Sequence, residues 1–138
     1  MRIKVSEADV AWCAGLFVGE GHAGRAITRG SSGVYEYISL ILAMYDRRAV
    51  ERFANVLGLN CHHLFNKLRQ HDYWRVLVRG RTAERAFAVL WPFLSDTDKG
   101  DQILKQAERL GIQKWITGEE TGVRPQLNNV KRGRKVPH

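Results

Sequence analysis

The sequence predicts an α+β domain with the element order α-β-β-α-β-β-α, one further helix toward the C-terminus, and an antiparallel sheet. Three observations carry this reading. An opening segment, residues 7–20, sets small and apolar residues at helical spacing. Two pairs of alternating segments, at 21–44 and 61–79, each break at a short turn, as hairpins do. Each pair is followed by a segment whose apolar residues recur at i, i+3, i+4 and i+7, the pattern of a helix packed on one face.

In the first helix, Ser6 followed by Asp9 reads as an N-cap with an acidic third position, so the helix starts at about Glu7. Ala11, Gly15 and Gly19 recur every four residues and share one face. Each interior glycine costs a helix about 1 kcal/mol relative to alanine. A face that accepts two of them is expected to admit another backbone at close range. Glu20 falls at the end of this helix, where a carboxylate meets the negative pole of the helix dipole. No Lys or Arg stands between Val5 and Gly24 to offset it, and a bound cation would remove the conflict.

Residues 21–29 read as a strand, Gly30-Ser31-Ser32-Gly33 as a turn, and residues 34–44 as the returning strand. Ile38, Leu40 and Leu42 mark one face of that strand; Tyr35, Tyr37 and Ser39 mark the other. Asp46 caps a second helix bearing Val50, Phe53, Ala54 and Leu57 on one side, and Gly58 ends it. A second hairpin follows, residues 61–69 and 73–79, with Gln70-His71-Asp72 at its turn. In its second strand Trp74, Val76 and Val78 alternate with Tyr73, Arg75 and Leu77. Thr82 is expected to cap a third helix carrying Ala83, Ala86, Phe87 and Leu90, with Pro92 disturbing its end. Ile103, Leu104, Ala107 and Leu110 make a fourth helix, stopped by Gly111. Residues 1–116 form the single domain, and residues 117–138, rich in Gly, Asn, Pro, Lys and Arg, read as a basic, mobile tail.

At 138 residues the chain is long enough for one proper core. It carries 22 Lys and Arg against 14 Asp and Glu, a formal net charge of +8. Lys131, Arg132, Arg134 and Lys135 supply half of that surplus, so the rest belongs to the domain itself. A basic balance of this size is the first feature expected of a nucleic-acid binder. Cys13 and Cys61 are the only cysteines; their spacing fits neither a disulfide framework nor a zinc site, and Cys13 is expected to be buried. No apolar run approaches the roughly 18 residues of a membrane span, and no apolar leader opens the chain. The protein is therefore expected to be intracellular, in a bacterial or phage-host cytoplasm or in an organelle, with no membrane partner.

Within the first helix, Cys13-Ala14-Gly15-Leu16-Phe17-Val18-Gly19-Glu20-Gly21 resembles the nine-residue motif of the LAGLIDADG homing endonucleases, in its AGLFxGEG form. The match holds at Ala14, Gly15, Leu16, Phe17, Gly19, Glu20 and Gly21. It departs at Cys13, usually leucine, and at Val18, often acidic. The element order over residues 7 to 112 is also similar to the core of that family, with one copy of the motif. The resemblance implies that two such helices pack side by side about a two-fold axis. The acid at the foot of each then binds a divalent metal and cuts one DNA strand. A single-copy chain would pair with itself, so a homodimer is expected, with Ala11, Trp12, Gly15, Leu16 and Gly19 at its interface.

By the same resemblance Glu20 is the catalytic acid and metal ligand, and the Gly21 carbonyl is a further ligand. The family's lysine after the third helix, which polarises the scissile phosphate or its water network, corresponds to Lys99 on the pattern Lys99-Gly100-Asp101-Gln102. An ungapped count from Pro92-Phe93-Leu94 falls on Thr97 instead. A glutamine that many members carry near the end of the second strand has no counterpart among Leu42, Ala43 and Met44. Phosphodiester hydrolysis needs an activated water and a stabilised leaving group, and two divalent metals about 4 Å apart supply both. Two Glu20 carboxylates meeting at an axis repel unless a hard cation, Mg²⁺ above all and otherwise Mn²⁺ or Ca²⁺, lies between them.

A two-stranded ribbon fits the major groove of duplex DNA, where base edges can be read. The candidate readers are Tyr35, Tyr37, Ser39, Lys67, Arg69, Tyr73, Arg75 and Arg79. In the first strand two phasings remain open: His22, Ala26 and Thr28 together, or Arg25 and Arg29 after a one-residue bulge. Arg47, Arg48 and the tail cluster are better placed for phosphates, which give affinity without sequence choice. The expected function is an intron-encoded, homodimeric, Mg²⁺-dependent endonuclease cutting a long, partly palindromic duplex. The alternative is a protein of the same fold that binds without cutting, as an RNA maturase or a DNA-binding regulator. A basic domain unrelated to nucleic acid is a third reading, and it predicts no steep salt dependence of binding.

Overall fold

In a computed structural model of the chain, residues 5–120 and the backbone of residues 134–136 are described. Helix α1 (Glu7–Glu20) starts where the Ser6 hydroxyl accepts the Asp9 N–H at 3.1 Å. It runs directly into β1 (Gly21–Gly30), which pairs antiparallel with β2 (Gly33–Met44) in unbroken register from Gly21 opposite Leu42 to Gly30 opposite Gly33. Helix α2 (Arg47–Leu57) is capped by the Asp46 carboxylate on the Ala49 N–H and closed by Gly58 in the left-handed conformation. Strands β3 (His62–Asn66) and β4 (His71–Arg79) form the second hairpin, followed by α3 (Arg81–Leu94) and α4 (Asp98–Leu110).

The sheet order is β1-β2-β4-β3, all antiparallel. Ala23, Ile38, Leu40, Leu42 and Val76 point to one face and are at most 2% exposed. The core they form is completed by Cys13 and Phe17 of α1, Val50 and Phe53 of α2, Phe87, Leu90 and Leu94 of α3, and Ile103 of α4. Phe17 lies at its centre, stacked 6.4 Å from Phe53 and edge-on to Phe87 at 5.7 Å. Each large apolar side chain fully buried here contributes about 1.5–3 kcal/mol. On the same face, buried Glu36 is paired by Arg25 at 3.0 Å and by Arg109 of α4. That satisfies a carboxylate whose isolated burial would be costly.

The connectivity puts one end of the sheet in charge of the site. The foot of α1, the start of β1, the end of β2 and the β3–β4 turn all lie at this end, through the pairs Gly21–Leu42, Met44–Trp74 and Asn66–His71. The β1–β2 turn lies at the other.

Four details differ from the sequence expectation. Helix α3 is capped by Gly80, not Thr82; the chain leaves β4 for the helix without a linker, and Gly80 supplies the φ of +67° that this corner needs. Pro92 sits inside α3, which continues to Leu94. The second hairpin turns at residues 67–70, earlier than Gln70–Asp72, because the Asn66 side chain accepts the Leu68 and Arg69 N–H groups at 3.0 and 3.2 Å. A short helix α5 (Gln113–Thr117) was not expected; it brings Ile116 into the core and is too short to show a helical period.

Of the region read as a mobile tail, residues 121–133 and 137–138 lie outside the described residues. Strand β5 (Arg134–Val136) pairs antiparallel with Val34–Glu36, along the edge of β2 that β4 leaves open beyond the Ser39–Arg79 pair.

Candidate nucleic-acid interface and cleavage site

Helix α1 has two unlike faces. Val10, Cys13, Ala14 and Phe17 are buried in the chain's own core. Gly15 and Gly19 are exposed on the opposite side, and a methyl group placed on either would meet no atom within 4 Å. Val18 beside them is 40% exposed, while Ala11, Trp12 and Leu16 flank the strip half-buried. The Arg52 guanidinium lies 4.0 Å over the Trp12 ring and pairs with Asp9 at 3.4 Å, fixing one border of this face. The described residues leave the glycine strip open, and none of them packs against it to offset its cost in helix propensity.

Glu20 is the last residue of α1 and is exposed, with no basic residue in the last helical turn. Gly21 follows it, buried, and has no room for a side chain: a methyl group there would sit 2.1 Å from the Phe17 ring. The helix-to-strand corner therefore holds Glu20 and the Gly21 carbonyl in fixed positions relative to the core. Lys99, on the first turn of α4 and distant in sequence, donates its ammonium to that carbonyl. Thr97 does not reach the site. Its hydroxyl accepts the Gly100 N–H at 3.0 Å and donates to the Leu94 carbonyl at 2.7 Å, which is the work of a helix cap. Of the two sequence candidates for the basic residue, the structure brings Lys99 to the foot of α1.

Glu20 also borders an open recess of about 450 Å³, lined further by Ala43, Met44, Tyr45, Asp46, Asn66 and Tyr73. Ala43 and Met44 occupy the wall where a glutamine would have stood. Among the described residues, no group of three or more His, Cys, Asp or Glu could hold a metal. The donors present are one carboxylate and one carbonyl, both hard oxygens, and the carbonyl already attracts a cation in Lys99. That set suits Mg²⁺, which accepts few protein ligands and completes its shell with water and phosphate.

The sheet face turned away from the helices carries most of the expected readers. The unbroken β1–β2 register places His22, Gly24, Ala26 and Thr28 on this face, alongside Ile41, Ser39, Tyr37 and Tyr35. The bulge that would have turned Arg25 and Arg29 outward is not formed, since every residue from 21 to 30 has a partner. Arg25 is engaged by Glu36 on the helix side, though it borders the outer recess noted next. Arg75 and Arg79 lie opposite Ala43 and Ser39 and share the outer face, as does Tyr73 opposite Leu64. Buried Arg75 Nε has no hydrogen-bond partner, so an acceptor brought by a ligand would relieve it.

Ser39, expected to be an exposed reader, is 4% exposed, closed in between Gly24 and Arg79 on the neighbouring strands. It lines an outer-face recess of about 620 Å³ with Ile41, Leu77 and Arg79. Lys67 and Arg69 are exposed in the β3–β4 turn and so lie at the end nearest Glu20. Arg47 and Arg48 begin α2, where Arg47 pairs with Glu51 at 2.6 Å.

The residues missed in the sequence are Tyr45, Asp46 and Asn66 around Glu20, and Leu77 on the outer face. Asp46 and Asn66 read there only as cap and strand residues, and their nearness to Glu20 depends on the β2–β4–β3 pairing.

No protein-family model matches the sequence, and no curated protein does. Solved structures do match. The archaeal intron-encoded homing endonuclease I-Vdi141I, complexed with DNA, superposes over 89% of this chain and 91% of its own, at 15% identity and a TM-score of 0.59. The homing endonuclease I-CvuI, in complex with an I-CreI target in 2 mM Mg and with the DNA not cleaved, matches over 80% of this chain and 66% of its own, at 16% identity and a TM-score of 0.56. The I-LtrWI LAGLIDADG homing endonuclease bound to target DNA matches at 22% identity and a TM-score of 0.52. That match covers 80% of this chain but 40% of I-LtrWI, so the chain spans well under half of that protein.

Proposed function

We propose, proceeding from a chain that has the LAGLIDADG homing-endonuclease fold, that it is a site-specific, double-strand DNA endonuclease acting as a homodimer with a divalent metal, Mg²⁺ in the first place. The observation that carries this is the foot of α1. Glu20 and the Gly21 carbonyl sit beside an open glycine strip on one side and the Lys99 ammonium on the other. A two-fold axis along the glycine strip brings two such feet together over one duplex.

The division of labour follows from position. Glu20 and Gly21 would hold the metal, which when bound supplies charge neutralisation and an acidified water. Lys99, whose ammonium lies at the Gly21 carbonyl, would neutralise charge on the scissile phosphate. Phe17 keeps the corner rigid, because Gly21 packs directly against its ring. The outer sheet face supplies recognition. The ten residues of β1 span about 33 Å at roughly 3.3 Å each, or about ten base pairs per half-site. Two copies would cover a partly palindromic site of about twice that length.

The second reading, binding without cutting, is favoured by one observation: Ala43 and Met44 wall the Glu20 recess where water-holding amide groups would assist hydrolysis. One experiment separates the two. Linear duplexes from a random-sequence library are incubated with the protein in Mg²⁺ or EDTA and recovered by cleavage and, separately, by retention. Recovery of cut duplexes in Mg²⁺ only, abolished by Glu20→Gln with retention unchanged, supports the nuclease. Retention without cleavage in any divalent metal supports the binder. Retention that does not weaken by orders of magnitude between about 50 and 200 mM salt overturns both.

A further inference from the structure

The β3–β4 turn presents the most exposed large apolar side chain among the described residues, Leu68, at 97% exposure. A lone surface leucine is ordinary, but this one is held in place by a built turn. The Asn66 side chain accepts both the Leu68 and the Arg69 N–H, and Gln70 donates to the Lys67 carbonyl at 2.9 Å. Gln70 takes a φ of +52°, the only positive φ outside glycine among the described residues. A non-glycine residue in that region costs about 1 kcal/mol or more, so the turn keeps this shape against a local preference. The side chain so presented stands between two exposed cations, Lys67 and Arg69.

Place adds what shape leaves open. Asn66 and Tyr73, the two residues bracketing this hairpin end, line the same recess as Glu20. The tip therefore stands at the cleavage end of the sheet, while the β1–β2 turn stands at the far end. An apolar tip flanked by positive charge is complementary to stacked bases bordered by phosphates, and the outer sheet face beside it carries Tyr73, Arg75 and Arg79. Apolar wedges that enter a groove and part a base step bend the duplex and are held there by neighbouring Lys and Arg.

We propose that Leu68 is such a wedge, inserted at a base step close to the scissile phosphate, with Lys67 and Arg69 on the phosphates to either side. This rests on the nuclease reading above. In a symmetric dimer the two tips enter on opposite sides of the axis, so the duplex is kinked at its centre away from the groove they enter. The base steps entered are selected by how readily they unstack, which gives specificity at positions that no polar side chain reads.

The test uses a duplex selected for binding from a random-sequence library, with 2-aminopurine placed in turn at each central step and a fluorophore pair at its ends. The wild-type protein, in Ca²⁺ to hold the complex, is expected to brighten 2-aminopurine at one step per half-site and to shorten the end-to-end distance. Leu68→Ala and Leu68→Gln, which fold because the side chain is 97% exposed and forms no part of the core among the described residues, are expected to lose both signals. They should weaken binding by about tenfold while leaving the salt dependence unchanged, since Lys67 and Arg69 remain. Restoration of both signals by Leu68→Met supports insertion. Brightening and bending that persist in Leu68→Ala overturn the wedge alone; a wild-type protein that binds no duplex overturns the nuclease reading and the wedge with it.

Discussion

Replacing Gly15 with leucine sets two consequences of the α1 geometry against each other. A methyl group at Gly15 meets no atom of the described residues within 4 Å, so the first carbon of the new side chain adds no clash. The substitution replaces an interior helical glycine with a good helix former, a gain of about 0.8–1 kcal/mol. For a chain of 138 residues that corresponds to a rise in Tm of roughly 3–5 °C. On the open face the same side chain stands where a second helix must approach, so the dimer should be lost. The assay is thermal unfolding at concentrations low enough to hold both proteins monomeric, paired with sedimentation at high concentration with and without duplex. A variant that is more stable as a monomer, no longer dimerises and no longer cuts is the expected result. A loss of monomer stability of 1 kcal/mol or more would mean that the chain covers this face itself. A dimer that persists unchanged would place the two-fold axis elsewhere.

Other consequences follow from the same structure. Gly21→Ala forces a methyl group to 2.1 Å from the Phe17 ring, and overpacking of this kind should cost about 1–3 kcal/mol in denaturant unfolding. Lys99→Met keeps the stem of the side chain and removes its charge. The cutting rate should fall by about 10²–10³ in single-turnover assays, with duplex affinity changed little. Burial pushes the Cys13 thiol up to about 11, with Arg52 opposing and Asp9 adding to the shift. A raised pKa favours the protonated thiol in the folded state, so its contribution is complete below the unfolded value near 9 and is lost as the pH rises toward 11. Chemical unfolding should show stability falling through that window, and the fall should shrink in Cys13→Ala to the smaller part that Cys61, whose thiol burial also pushes up, leaves behind. At pH 8 a thiol reagent should modify half-buried Cys61 well before Cys13.

The local features of this chain were legible in its residues. The Ser6 and Asp46 caps, the Gly58 and Gly111 stops and the Ile38-Leu40-Leu42 stripe depend on interactions within a turn or on a period of two, and all stand as read. So does the glycine face of α1, because a helix fixes which residues share a side. The Gly80 cap and the early turn at Asn66 were not legible. Each depends on where a strand pair ends, and a neighbouring strand decides that. The phase of β1 was undecided for the same reason: both readings fit the sequence, and only the unbroken pairing with β2 chose His22, Ala26 and Thr28 over Arg25 and Arg29.

The sequence alone determined that an acid would stand at the end of a small-faced helix with no base near it in the chain. Tertiary structure supplied the base, since Lys99 reaches the Gly21 carbonyl from the first turn of α4. It also supplied the neighbours of Glu20 and the tip bearing Leu68, gathered at one end of the sheet by strand order. Helical spacing is written in adjacent residues, whereas closeness across a sheet is written only in which strands pair.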